Sequence, residues 1–157
     1  MAKLILILGT LLGLTSVMTG AAEHAVRGMI EKDVQGEHLP EDGPAANRAL
    51  TDPTVAKRLD QYDTGVRYQM VHALALIGLG LLTAFSVRGQ VLGLVSAACF
   101  LLGVVLFSGT LYLVSAFGMT QLTMIVPFGG VLMIAGWVIF LLAVVFFEPL
   151  VDKEDLK

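Results

Sequence analysis

Four stretches of the chain contain no Asp, Glu, Lys or Arg: Leu4 to Ala22, Tyr68 to Val87, Val91 to Ala116 and Phe128 to Phe147. Each is close to or above the ~20 residues with which a helix crosses ~30 Å of hydrocarbon. A water-soluble helical core would need a polar face on each helix, and these runs have none to offer. Composition agrees. Apolar residues make up 56% and charged residues 15% of the chain, against roughly 45–50% and about 25% in an average soluble domain. The expectation is an all-α, four-helix transmembrane bundle forming a single integral membrane domain over residues 1–157.

The net charge of −3 brings no basic stripe with it, so nucleic acid is not an expected partner. The single cysteine, Cys99, lies within the third apolar run, where it reads as a small packing residue. Nothing resembles a nucleophile with its base and orienting group. No His, Cys or carboxylate spacing resembles a zinc motif. Neither catalysis nor a metal or other cofactor is therefore expected.

The first run, "LILILGTLLGLTSVMTGAA", follows Lys3 and ends on small residues, as a secretory leader does. Its length, and the glycines Gly9, Gly13 and Gly20 near one face, favour a retained span against which a neighbouring backbone packs closely. Residues 23–67 form the one sizeable hydrophilic region, with nine acidic and six basic residues. Within it, "QGEHLPEDGPAAN" reads as an irregular loop. Val26, Met29 and Ile30 recur at helical spacing before it. After it, Asp52 is the expected N-cap and Pro53 the first helical residue of an amphipathic helix. Its stripe of Val55, Leu59, Tyr62 and Val66 runs on into the second span, with Gly65 as a place to bend. "VRGQV" is short enough to force antiparallel neighbours. Between the third and fourth spans lies an uncharged loop, Phe117 to Val126, with Gly118 where a helix would end. Pro127 then opens the fourth helix, followed by Gly129 and Gly130, a second small-residue packing site. Residues 148–157 form a polar tail.

Four spans put both termini on one side of the bilayer and the long first loop on the other. Glu23 and His24 at the first span's exit then share one half of the bundle with Tyr68, Gln69 and His72 at the second span's entry. Ser108, Thr110, Tyr112 and Ser115 at the end of the third span join them. The opposite half is almost wholly apolar or glycine. Hydrogen-bonding groups in hydrocarbon must find partners or cost several kcal/mol each, so these side chains are expected to face inward and bond to one another.

"YQMVHALAL", "FSGTLY" and "VPFGG", in this order, resemble the motifs of domain of unknown function 423, a family of small four-span membrane proteins with YgdD-like bacterial members. Eukaryotic transmembrane protein 256 is similar. This chain departs from the family in reading "TGAAEH" where G-A-F-G-A-H is usual, in having Val126 before Pro127 where Thr is usual, and in a first loop longer by about the stretch 33–52. The resemblance implies a multi-pass protein of the bacterial inner membrane, or an organellar cousin, and implies no activity.

The candidate site is thus a polar cluster at one leaflet: Glu23, His24, Tyr68, Gln69, His72, Ser108, Thr110 and Tyr112. Its plain reading is structural, an interhelical hydrogen-bonded set with His24 and His72 within reach of each other. Sharper readings are a solute or proton path, and a haem- or quinone-associated redox subunit, whose haem form would use His72 with His24, Met70 or Met18. Trp137 reads as a packing residue. The expected partners are membrane lipid and a second copy or larger membrane complex reached through the small-residue faces. Six Lys/Arg in the first loop against four on the other side favour a cytoplasmic loop, while Lys3 before the first span favours the reverse.

Overall fold

A computed structural model of the protein describes residues 1–38, 52–86 and 90–148, without the side chains of 35–38. Helix α1 spans Ala2–Ala21, α2 Glu23–His38 and α3 Pro53–Ala84. Helix α4, Gln90–Val104, passes into a π-helical turn, Val105–Gly109, and then into α5, Thr110–Phe117. A 3₁₀ segment, Thr120–Ile125, leads into α6, Val126–Val145. Among the described residues four stretches are long and apolar enough to cross a membrane: Ala2–Ala21, Pro53–Ala84, Gln90–Phe117 and Thr120–Val145. The fold is all-α, with the four spans that the uncharged runs demand.

Helix α3 is the axis of the molecule. Its 32 residues extend about 48 Å at ~1.5 Å per residue, well beyond the hydrocarbon thickness, so its first turns stand outside the apolar layer. Asp52 caps it, accepting a hydrogen bond from the Thr54 amide at 2.7 Å, with Pro53 in the first turn. The buried face runs Val55, Arg58, Tyr62, Gly65, Gln69, His72, Leu76, Leu79 and Thr83. The steps alternate between three and four residues, the spacing of a continuous packing seam. The expected stripe was slightly rotated: Leu59 and Val66 are only half-buried, and Arg58 and Gly65 take the inner positions. The helix continues through Gly65. Glycine serves there as a socket, because a Cβ would stand 2.9 Å from the Tyr112 ring.

Helix α1 packs antiparallel on one side of α3. Leu6 meets Gly80, Gly9 meets Ile77, Gly13 meets Ala73 and Gly20 meets Val66. The pairs step one for one in opposite directions, which fixes the register of the two helices. On the far side of α3 lie α4, the π turn and α5, and α6 packs on α4. In that second seam Gly129 packs against Phe107 and Gly103: a Cβ on Gly129 would lie 2.6 Å from the Phe107 nitrogen and 2.8 Å from the Gly103 oxygen. Ile5, Leu76, Leu79, Ala97 and Phe100 join the two seams in one apolar core.

Several expectations change. Helix α2 follows α1 after Ala22 alone and reaches His38, into a stretch read as irregular. A lone Gly costs only about 1 kcal/mol inside a helix, so Gly36 does not stop it. Of its expected apolar positions Ile30 is buried, whereas Met29 is exposed. The uncharged loop after the third span is mostly 3₁₀ helix, entered through Gly118 at φ 65°. The apolar half also holds more polar groups than expected: Thr83, Ser86 and Ser96 are buried there, and Ser96 donates to the Gly136 carbonyl at 2.8 Å. Most of the proline-rich part of the first loop, the turn at Arg88 and the tail beyond Glu148 lie outside the described residues.

Candidate functional site

The seam between α1 and α3 changes character partway along. From Leu6 to Gly9 it is apolar and glycine-lined. Beyond that, hydrogen bonds cross it. Ser16 donates to the Val66 carbonyl at 3.1 Å, and the Tyr62 hydroxyl donates to the Thr19 carbonyl at 2.6 Å. Gln69 is the hub. Its amide nitrogen donates to the Leu12 carbonyl at 3.0 Å and to Thr15 Oγ1 at 2.8 Å, and its amide oxygen accepts from the Tyr112 hydroxyl at 2.8 Å. The amide orientation follows from chemistry, because a carbonyl can only accept. One side chain thus ties α1 to α5 across the face of α3. The Tyr112 ring also packs at a tilt against Tyr62, with centroids 5.3 Å apart, over the socket left by Gly65.

His72 sits one turn deeper and is 3% exposed. Nδ1 lies 2.7 Å from the Tyr68 carbonyl, and Nε2 lies 3.2 Å from the Trp137 indole nitrogen. An indole N–H can only donate and a carbonyl can only accept. The proton is therefore on Nδ1, Nε2 is the acceptor, and the imidazole is neutral. A protonated ring would turn two donors toward each other at Nε2. Phe100 packs edge-on against both His72 and Trp137, at 5.3 Å in each case. Trp137, read from the sequence as filler, is the group that fixes the histidine from α6.

The other predicted residues divide. Tyr68 is exposed at its own edge but stacks on His72 and lies 4.6 Å from the Phe107 ring. Thr110 is buried. Ser108 is buried inside the π turn and its hydroxyl has no partner, so it does not make the usual bond back along the helix. Glu23 and His24 are exposed at the start of α2. The last register pair of α1 with α3 is Gly20 with Val66, already six residues or about 9 Å along the axis from His72, on the side toward which the chain runs to His24. His24 is not among the partners of the His72 ring nitrogens, which are the Tyr68 carbonyl and Trp137. Gly9, Gly13, Gly20 and Gly129 all face neighbouring helices, but a Cβ on Gly130 would meet nothing within 4 Å. Among the described residues no group of three or more His, Cys, Asp or Glu side chains is placed to hold a metal.

Arg58 is a further site residue that the sequence reading missed. It is 8% exposed. Nε donates to the Ser115 carbonyl at 2.7 Å, and the terminal nitrogens reach the Ala116 carbonyl at 3.2 Å and Asp33 at 2.7 Å. These carbonyls are the unsatisfied end of α5, so the guanidinium caps the third span and pins α2 to it. The sequence signal was present: an arginine falls on the three-four seam between Val55 and Tyr62.

The family model for DUF423, a protein of unknown function, matches residues 34–130. The chain belongs to the DUF423 family. Similar proteins include a UPF0382 membrane protein of Staphylococcus haemolyticus, 31% identical over 145 residues that cover 90% of this chain and 94% of the relative. A UPF0382 membrane protein of Haemophilus influenzae is 33% identical over 96 residues, 61% of this chain and 75% of that one. The UPF0382 inner membrane protein YgdD of Escherichia coli K12 is 35% identical over 82 residues, 52% of this chain and 61% of its own length. No solved structure matches. The DUF423 chain is a multi-pass protein of the bacterial inner membrane. The family segment contains Arg58, Gln69, His72 and Tyr112, while their partners Leu12, Thr15 and Trp137 lie outside it.

Proposed function

We propose that this protein is a non-catalytic membrane component that acts through helix contacts, in a homo-oligomer or as an accessory of a larger membrane complex. The observation that carries this reading is the use made of the polar cluster. Gln69 and His72 direct their hydrogen-bonding atoms at α1, α5, α6 and the backbone of α3 itself. Side chains so engaged brace a scaffold and leave little capacity for a substrate. The outer spans supply the surface: in the most apolar window of α1 and of the fourth span only 17% and 22% of residues are buried, against 44% in α3. The test is cross-linking and mass measurement of the full chain in lipid nanodiscs, together with affinity purification from its own membrane. A higher-order species or a stoichiometric partner is expected; a strict monomer with nothing co-purifying overturns the reading.

A second reading, passage of a small solute or proton along the cluster, is favoured by one feature. The π turn holds a buried, unpartnered Ser108 hydroxyl, and π turns recur at functional sites. Reconstituted liposomes would then show a flux that is lost in Ser108→Ala and His72→Ala; a flux unchanged in both overturns it. The haem form of a redox role finds less support, since His72 Nε2 faces Trp137 and His24 is exposed elsewhere. A Soret band in the purified protein would restore it.

A further inference from the structure

On the polar side of the bundle, α2, the first turns of α3, the end of α5 and the 3₁₀ segment enclose an open cavity of about 910 Å³. Three cations line it, Lys32, Lys57 and Arg58, against the single carboxylate of Asp33. Arg58 is already engaged with Asp33 and with two carbonyls. The two lysines are exposed, and neither makes an ion pair with any described carboxylate. A cavity lined by two ammonium groups that pair with no described carboxylate attracts an anion. Gln61, Thr54, Thr120 and Thr123 add hydrogen-bonding side chains to its wall.

The cavity is not purely polar. Val114 and Phe117 also line it, and they belong to the last turns of the third apolar span. Phe117 is 60% exposed, and the segment that continues the rim carries Met119, Met124 and Phe128, all exposed. The charged lining therefore stands beside exposed apolar side chains at the end of the third span, where hydrocarbon would give way to headgroups. A dissolved anion has no use for that apolar rim; a phosphate joined to acyl chains matches both parts.

We propose that this cavity binds the headgroup of an anionic phospholipid, with Lys32 and Lys57 on the phosphate and the acyl chains leaving over Phe117. Arg58 shapes the floor while holding the end of α5. The site is separate from the Gln69–His72 cluster and does not depend on how that cluster is used.

The experiment is native mass spectrometry of the detergent-purified full chain titrated with phosphatidylglycerol or with phosphatidylcholine, and a parallel titration with inorganic phosphate. Phosphatidylglycerol is expected to bind in preference to phosphatidylcholine. An interfacial lysine contributes about fivefold in affinity for an anionic surface, so Lys57→Gln should weaken phosphatidylglycerol about fivefold and Lys32→Gln/Lys57→Gln about 25-fold. Lys3→Gln and Arg67→Gln, which remove the same charge outside the cavity, should leave it unchanged. Phe117→Ser should weaken the lipid without affecting binding of short, water-soluble glycerophosphate. The proposal is overturned if the control variants weaken binding as much as the cavity variants, since attraction would then follow net charge alone. It is also overturned if inorganic phosphate displaces the lipid at equal concentration, which would make the occupant a soluble anion. Lys32 and Lys57 are exposed and outside the core, so the variants fold; circular dichroism checks this directly.

Discussion

Gly129 and Gly130 are neighbours in sequence, yet replacing each with alanine should move stability in opposite directions. At Gly129 a methyl group would lie 2.6 Å from the Phe107 nitrogen, 2.8 Å from the Gly103 oxygen and 2.9 Å from the Phe107 Cβ. Two of these are backbone atoms of the facing helix, so no side-chain rotation relieves the overlap. The helices must separate by roughly 1 Å to restore van der Waals contact. Overpacking of this kind costs about 1–3 kcal/mol. The shift also strains the contact of Phe100 with Gly136, where a Cβ would already stand 2.6 Å from the ring. At Gly130 the methyl group meets nothing within 4 Å, and alanine gains up to about 1 kcal/mol over glycine in a helix. The two variants should therefore differ by roughly 2–4 kcal/mol, about thirtyfold to several-hundredfold in the unfolding equilibrium. Reversible unfolding in mixed micelles reads this directly. Trp137, the single tryptophan, lies on the same helix and reports the separation of α6 from α3 through its fluorescence. If Gly129→Ala proves as stable as Gly130→Ala, the close backbone crossing of α4 and α6 is wrong, and with it the placement of the fourth span.

Three further outcomes follow from the polar contacts. Gln69→Leu removes three interhelical hydrogen bonds; at the ~0.6 kcal/mol that such bonds average in membranes the loss is about 2 kcal/mol, and Tyr112→Phe should cost about a third of that, both measured by unfolding in micelles. Arg58→Ala uncovers the Ser115 and Ala116 carbonyls and should cost about 1.5–3 kcal/mol, with faster hydrogen exchange at the Gly118 amide; Arg58→Lys should recover only part, since an ammonium lacks the guanidinium fork. His72→Phe and Trp137→Phe each break the bond between α3 and α6, so a double-mutant cycle on stability should return a coupling of about 0.6–1.7 kcal/mol, and a coupling of zero would detach Trp137 from the histidine.

The number and order of the spans were legible because charge is nearly excluded from hydrocarbon, and a run of twenty uncharged residues suits few structures besides a membrane span. Asp52, Pro53, Gly118 and Pro127 were legible for a local reason: each acts on the backbone within a turn of itself. The polar cluster was legible only as a half of the bundle. Sequence position gives depth along a helix and says little about azimuth, and azimuth decides contacts. Tyr62 was visible as part of a stripe, but the stripe read through Leu59 and Val66 was turned by a fraction of a helical step, and that small rotation concealed Arg58. Gly130 failed for the same reason, standing one position and about 100° from Gly129. Trp137 was missed because its aromatic bulk outweighs its one N–H in any reading of composition. The basic cavity needs α2, α3 and α5 at once, which no local pattern encodes.

From Arg67 inward, the depth of a hydrogen-bonding group along α3 tracks how completely it is paired. Arg67, exposed and bonded to Asp63 one turn earlier, marks the level still in contact with polar surroundings. Gln69 lies two residues deeper, about 3 Å, and shares its amide among three partners on two helices. His72 lies about 7.5 Å deeper than Arg67; both of its ring nitrogens are taken, one by its own helix and one by Trp137. Beyond it the buried face of α3 turns to Leu76, Leu79 and Gly80, and helices meet there through glycine sockets. Lipid provides no hydrophobic drive between helices, so only close packing and hydrogen bonds can hold the spans together. The two means have different ranges of use. A glycine contact costs the same at any depth, whereas an amide whose partners separate must find water, and water is nearer to Gln69 than to any position past His72. That difference explains why one end of the α1–α3 seam is hydrogen-bonded and the other is made of small residues. Exchanging the two ends would leave an amide unpaired at the bilayer centre each time the helices part.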